Sequence, residues 1–104
     1  MDDNKPFLML NALWFKPQGG KESYQQYMAL AAPLLEKYGG RPVAGGVPFK
    51  AVIGEFDADL VFFIQYPSWR TFLDFIADPE YQKISHFRED AITKSLLIRC
   101  EKIF

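Results

Sequence analysis

The chain predicts an α+β sandwich of ferredoxin-like topology, βαββαβ with a four-stranded antiparallel sheet, on three observations. Its hydrophobic periodicity alternates between two and about 3.6 residues in the order strand, helix, strand, strand, helix, strand. Right-handed crossovers between the strands then bring both helices to one face of the sheet. With 104 residues, 49% hydrophobic and 24% charged, the chain makes one domain, residues 1–104, and intrinsic disorder is excluded.

Residues Phe7 to Phe15 are apolar at odd and even positions alike, so this first strand must be covered on both faces. Lys16-Pro17-Gln18-Gly19-Gly20 ends it with turn chemistry. From Lys21 to Tyr38 the spacing becomes helical, with Tyr24, Tyr27, Met28, Ala31, Leu34 and Leu35 on one stripe. Pro33 points away from that stripe and predicts a bend rather than an end. Gly39-Gly40 supplies a left-handed stop. Arg41 to Gly54, rich in Val and Gly and interrupted by Pro42 and Pro48, reads as an irregular or bulged edge strand. After a turn at 55–59, Leu60 to Tyr66 is again apolar at nearly every position. Ser68 caps a short helix whose inner face is Trp69, Phe72, Phe75 and Ile76. Asp78-Pro79 breaks this helical segment and restarts it, with Asp78 as cap and Pro79 in the first turn, to about Thr93. A last strand, Ser95 to Ile103, sets Leu96, Ile98 and Cys100 against Arg99 and Glu101, which gives it one wetter face.

Composition excludes several functions. Twelve basic and thirteen acidic residues leave a net charge of −1, too small a field to gather a polyanion or an anionic membrane. The third strand also lacks the basic, glycine-bearing aromatic motif of RNA-recognition sheets, so no nucleic-acid partner is expected. The apolar run at 7–15 is far shorter than the ~20 residues of a membrane span, and Asp2 and Asp3 before it do not suit a signal peptide. Cys100 is the only cysteine, which forbids an internal disulfide and a thiol metal site and makes a reducing cytoplasm the default. Aromatic residues reach 16%, more ring surface than one small core needs, and point to a pocket, a partner surface or both. Two strands are apolar front and back while the helices cover one face only. A homodimer packed sheet face to sheet face is the simplest way to cover the other.

Tyr38-Gly39-Gly40-Arg41 followed by Gly45-Gly46, then Tyr66-Pro67-Ser68, then Asp78-Pro79-Glu80-Tyr81-Gln82 and Arg88, resembles the domain-of-unknown-function 1330 family within the dimeric α+β barrel superfamily. The motifs run in order along nearly the whole chain. The resemblance implies a ferredoxin-like protomer in a face-to-face dimeric barrel and brings no established substrate. The wider superfamily includes cofactor-free oxygenases and haem-degrading enzymes, the latter with an Asn on the first strand and a Trp and a His on later helices. Asn11 stands at the first of these positions, but Phe75 matches the Trp and His86 is displaced by one residue, so the haem-degrading set is incomplete and no cofactor is expected.

Asn11 is the one strongly polar residue in its strand, and a buried amide needs partners. It either satisfies neighbouring backbone or a dimer contact, or lines a pocket. Arg88 falls on the apolar stripe of its helix, with Tyr81 and Ile84, and pairs with a carboxylate such as Asp57 or Asp59 or binds an anionic ligand in a bidentate fork. Arg41 is a second possible anion contact, or an exposed loop charge. Tyr24, Tyr27, Phe63 and Trp69 are the ring walls such a pocket would use. His86, the only histidine, falls on the solvent side of its helix and is a weaker candidate. Asp57 and Asp59 alone make no metal site, and the glycine doublets have no phosphate-loop spacing.

Two functions fit. One is a homodimer with a pocket in each protomer for a small aromatic or carboxylate-bearing metabolite, a site suited to cofactor-free oxygenation or isomerisation. The other is a non-catalytic homodimeric binding or assembly module. The module is favoured if protein groups satisfy Asn11 and Arg88 and no cavity lies beside them.

Overall fold

The structure, a computed structural model, describes residues 1–104. The elements in order are β1 (Phe7–Phe15), α1 (Gly20–Lys37), β2 (Arg41–Gly46), β3 (Leu60–Tyr66), α2 (Trp69–Ala77), α3 (Pro79–Ala91) and β4 (Ile92–Glu101). All neighbouring strands are antiparallel in the order β2-β3-β1-β4, the ferredoxin-like arrangement. The chain forms a slab of 35 × 33 × 17 Å, the short dimension being that of one helical layer on one sheet.

β1 lies between β3 and β4, so both of its hydrogen-bonding edges are paired. Period two sends Phe7, Met9, Asn11 and Leu13 toward the helices and Leu8, Leu10 and Ala12 to the other face. Leu10 stands opposite Phe63 and Ile98, and Ala12 opposite Val61 and Leu96, so these residues share the bare face. Leu96 and Ile98 are 37% and 45% exposed there, with no helix over them.

α1 starts without a side-chain cap. Gly19 takes a left-handed φ of 78° instead. Gly20 follows pressed against the end of α3, where a Cβ would stand 2.6 Å from the Ala91 carbonyl oxygen. The helix runs on through Pro33, which is exposed, so the Ala29 carbonyl that loses its partner faces water. Gly39 at φ 76° ends it, as the doublet implied. The Ser68 hydroxyl accepts the Thr71 amide at the start of α2, and an Asp78 carboxylate oxygen accepts the Glu80 amide where α3 begins with Pro79.

Several boundaries differ from the sequence reading. β2 ends at Gly46 rather than Gly54, because Gly46 opposes Val61 and β3 begins one residue earlier at Leu60, leaving nothing to pair with the residues that follow. α3 stops at Ala91 and β4 starts at once at Ile92, since β1 supplies a partner, Phe15, that far along. β4 correspondingly ends at Glu101 rather than Ile103.

The core forms two clusters between helices and sheet. Phe7, Met9, Leu35, Tyr66, Phe72 and Phe75 make one; Leu13, Tyr24, Tyr27, Ala31, Phe62 and Ala91 make the other. No helix is long and apolar enough to cross a membrane.

Candidate ligand-binding site

A cavity of about 470 Å³ opens between the two clusters and takes walls from both. α1 contributes Tyr24, Tyr27, Ala31 and Leu35, and the sheet contributes Asn11, Phe62, Ile64, Tyr66 and Leu97. α2 and α3 close it with Phe72, Phe75, Tyr81 and Arg88. Glu36 and Arg41 also line it, and both are exposed.

The polar groups in this apolar enclosure are few. Arg88 has no carboxylate partner, and its Nη2 is sealed from solvent without a hydrogen-bond partner. The carboxylates suggested for it are occupied elsewhere: Asp57 accepts the Trp14 indole N–H at 2.9 Å, and Asp59 accepts the Phe15 amide at 2.7 Å. The expected ion pair to Asp57 or Asp59 is therefore not formed. Arg88 lies near enough to the Tyr24 phenol oxygen to favour its ionised form through charge and a hydrogen-bond contact, while Nη2 itself stays without a partner.

Tyr27 and Tyr81 hydroxyls share a hydrogen bond of 2.9 Å. Burial pushes the Tyr24 phenol up to about 12, with the Arg88 guanidinium pulling the other way. Tyr27 is raised further, by burial first and then by Tyr81, and Tyr66 is raised by burial. Near neutral pH these phenols are protonated and act as donors rather than bases. Asn11, 5% exposed, gives an Nδ2 hydrogen to the Met9 carbonyl at 3.2 Å, while its Oδ1 accepts from no protein group.

Of the residues singled out from sequence, the cavity brings together Asn11, Tyr24, Tyr27, Arg41 and Arg88. Phe63 is not among them. Its Cα pairs with Leu10, so it lies on the bare face, and its neighbour Phe62 is the ring that enters the cavity. Trp69 is also outside it, stacked on Phe72 at 5.1 Å with the Arg99 guanidinium 4.4 Å from its ring centre. His86 is exposed and lies against Phe87. Tyr81 was not singled out, yet the signal was present: it precedes Arg88 by about two helical turns and so shares its face.

The fold is shared with solved structures. A protein of unknown function from Rhodopseudomonas palustris is 31% identical, superposes with a TM-score of 0.92, and matches over 97% of this chain and 85% of its own. A dimeric ferredoxin-like protein of unknown function from Jannaschia sp. CCS1 is 12% identical with a TM-score of 0.75, over 93% of this chain and 99% of its own. A hydroxynitrile lyase from Passiflora edulis is 13% identical with a TM-score of 0.73, over 95% of this chain and 94% of its own. At those identities the last two share the fold alone. No curated protein matches the sequence. The family model described as Domain of unknown function (DUF1330) matches residues 19–99, which span the cavity's helices and most of its sheet, and the chain belongs to that family.

Proposed function

We propose that the protein is a homodimer in which each protomer binds a small carboxylate-bearing metabolite with an apolar or aromatic body. The observation that carries this is Arg88, a cationic guanidinium with no carboxylate partner and with Nη2 unpaired, in a cavity lined mainly by rings and aliphatic side chains. A charge left unpaired in such surroundings is costly, and a carboxylate would relieve it through charge-assisted hydrogen bonds. The volume of about 470 Å³ suits a one- or two-ring acid. The protonated phenols add donors that would hold a carboxylate or an enolate, which is the respect in which the site suits cofactor-free oxygenation or isomerisation. An assembly-only module gives no reason for an arginine without a carboxylate partner beside a cavity.

The dimer rests on the bare sheet face, where Leu10, Phe63, Leu96 and Ile98 lie together. The segment after β2 adds Phe49, Val52 and Ile53, 98%, 95% and 94% exposed, which touch almost nothing of their own chain. Exposed apolar surface on this scale marks an interaction site.

The test of the ligand reading is a thermal-shift screen against small aromatic acids. An acid at 100 times its Kd adds about 2.7 kcal/mol of stability. Arg88→Met should abolish that shift, and a shift that survives the substitution overturns the reading. Sedimentation at micromolar concentration tests the dimer, and a monomer there overturns it.

A further inference from the structure

The cavity's hydrogen-bonding inventory is unbalanced in a way that specifies more than a carboxylate. Arg88 brings donors and no acceptor. Burial holds Tyr24 and Tyr27 protonated, so their hydroxyls also have hydrogens to give. Within the Tyr27–Tyr81 pair one hydroxyl donates to the other, which leaves one hydrogen of the pair for a further acceptor. A carboxylate, with roughly four lone-pair directions, answers all of these.

Asn11 has the opposite need. Its Nδ2 is committed to the Met9 carbonyl, which fixes the side-chain amide so that the carbonyl end, Oδ1, is the one left without a partner. Asn11 lines the same cavity as Arg88 and the tyrosines, on the central strand that forms its floor. Asn is unfavourable in a strand interior, and its backbone bond uses only half of its polar capacity. An acid lacking a donor would cover Oδ1 and leave it dry.

We infer that the ligand is a hydroxy acid, its carboxylate held by Arg88 and its hydroxyl donating to Asn11 Oδ1; this rests on the carboxylate reading above. The donor is neutral. An ammonium group would have to share the cavity with the Arg88 cation, where the phenols are protonated and the one lining carboxylate, Glu36, is solvent-exposed. Amino acids are thereby disfavoured relative to hydroxy acids of the same shape.

Two near-isosteric sets test this by calorimetry on the intact protein. One is 3-phenylpropionate, 3-phenyllactate and phenylalanine; the other is benzoate with 3- and 4-hydroxybenzoate. Leaving Oδ1 unpaired beneath a bound ligand costs ~1–3 kcal/mol, so at least one hydroxy acid should bind roughly fivefold or more tightly than its unsubstituted parent. Phenylalanine should bind more weakly than 3-phenyllactate. Asn11→Ala should erase the preference, bringing each hydroxy acid to within about threefold of its parent. Should that variant fail to fold, the wild-type comparison decides alone. If the parents bind and no hydroxyl improves on them, or if phenylalanine matches 3-phenyllactate, the hydroxy-acid inference is overturned and the Arg88 reading stands. If no acid in either set binds, both are overturned.

Discussion

Replacing Arg88 with methionine should make the protein more stable and unable to bind its ligand. Nη2 of Arg88 is cut off from solvent and has no hydrogen-bond partner, and a buried donor in that position costs ~1–3 kcal/mol. Methionine keeps an unbranched stem, carries no donor and adapts to irregular space. Against the gain stands the solvation of the rest of the guanidinium, which faces the cavity and is lost with it. The net expectation is a gain of about 1 kcal/mol, or a Tm higher by roughly 4–8 °C in a domain of this size. Urea unfolding of the unliganded proteins measures it, at one fixed protein concentration because association would otherwise move the midpoint. The midpoint should rise with the slope m unchanged. Adding an acid that stabilises the wild type should leave the variant where it was. A variant less stable than wild type by 1 kcal/mol or more would falsify the reasoning, since Arg88 would then have a structural partner.

Four further outcomes follow from the same structure. Leu13→Ala, at a position with 0% exposure between α1, α3 and the sheet, should cost about 3 kcal/mol in chemical denaturation, within the ~2–5 kcal/mol span for buried leucines. Ile98→Glu on the bare face should shift sedimentation from dimer to monomer while circular dichroism keeps its folded shape. The Tyr38 hydroxyl, the Glu80 amide and Lys37 hold the Asp78 carboxyl below its ordinary value of 3.8, so its stabilising contribution is present above that pH and fades as pH falls through the lower folded value. Asp78→Asn should therefore flatten the acid limb of a stability–pH curve below about pH 4. At the other extreme, Tyr24 is raised from 10.0 to about 12, so above pH 10 the unfolded chain sheds this proton more readily and stability falls as pH rises toward 12; Tyr24→Phe should flatten this alkaline limb in chemical denaturation.

The sequence carried the architecture because each element is marked by its own chemistry. Ser68 and Asp78 sit where caps belong, Gly39 where a helix must turn left, and the period of Tyr24, Tyr27, Ala31 and Leu35 is helical. The same wheel put Arg88 on the inner face of α3. What it could not supply was parity in a doubly apolar strand. Phe62 and Phe63 are the same residue type at adjacent positions, and only the pairing of Phe62 with Asn11 decides which ring enters the cavity. The partner of Arg88 was equally hidden, because it depends on where the 55–59 turn docks. Trp14 and the Phe15 amide draw Asp57 and Asp59 to the end of β1, away from any pairing with Arg88. Trp69 does face inward as its spacing required, but it packs on Phe7 and Phe72 outside the cavity lining.

The cavity and the bare sheet face bear on one another through stability. A domain near 100 residues buries only roughly 65% of its unfolded surface, so its margin is small from the start. This one divides its core into two clusters and places a cavity and an unpaired guanidinium between them, each of which forfeits packing or solvation. Meanwhile leucine, isoleucine and phenylalanine on the opposite side of the same sheet remain uncovered in the single chain. Burying one such side chain contributes about 1.5–3 kcal/mol, so pairing two copies through this face would offset what the binding site gives up. On this reading dimerisation lets the site remain open and unsatisfied until its ligand arrives. Arg88→Met should accordingly restore part of the stability lost in Ile98→Glu, with the double variant melting above the Ile98→Glu single variant. If it melts below, the cavity is not a source of instability and the link between site and interface fails.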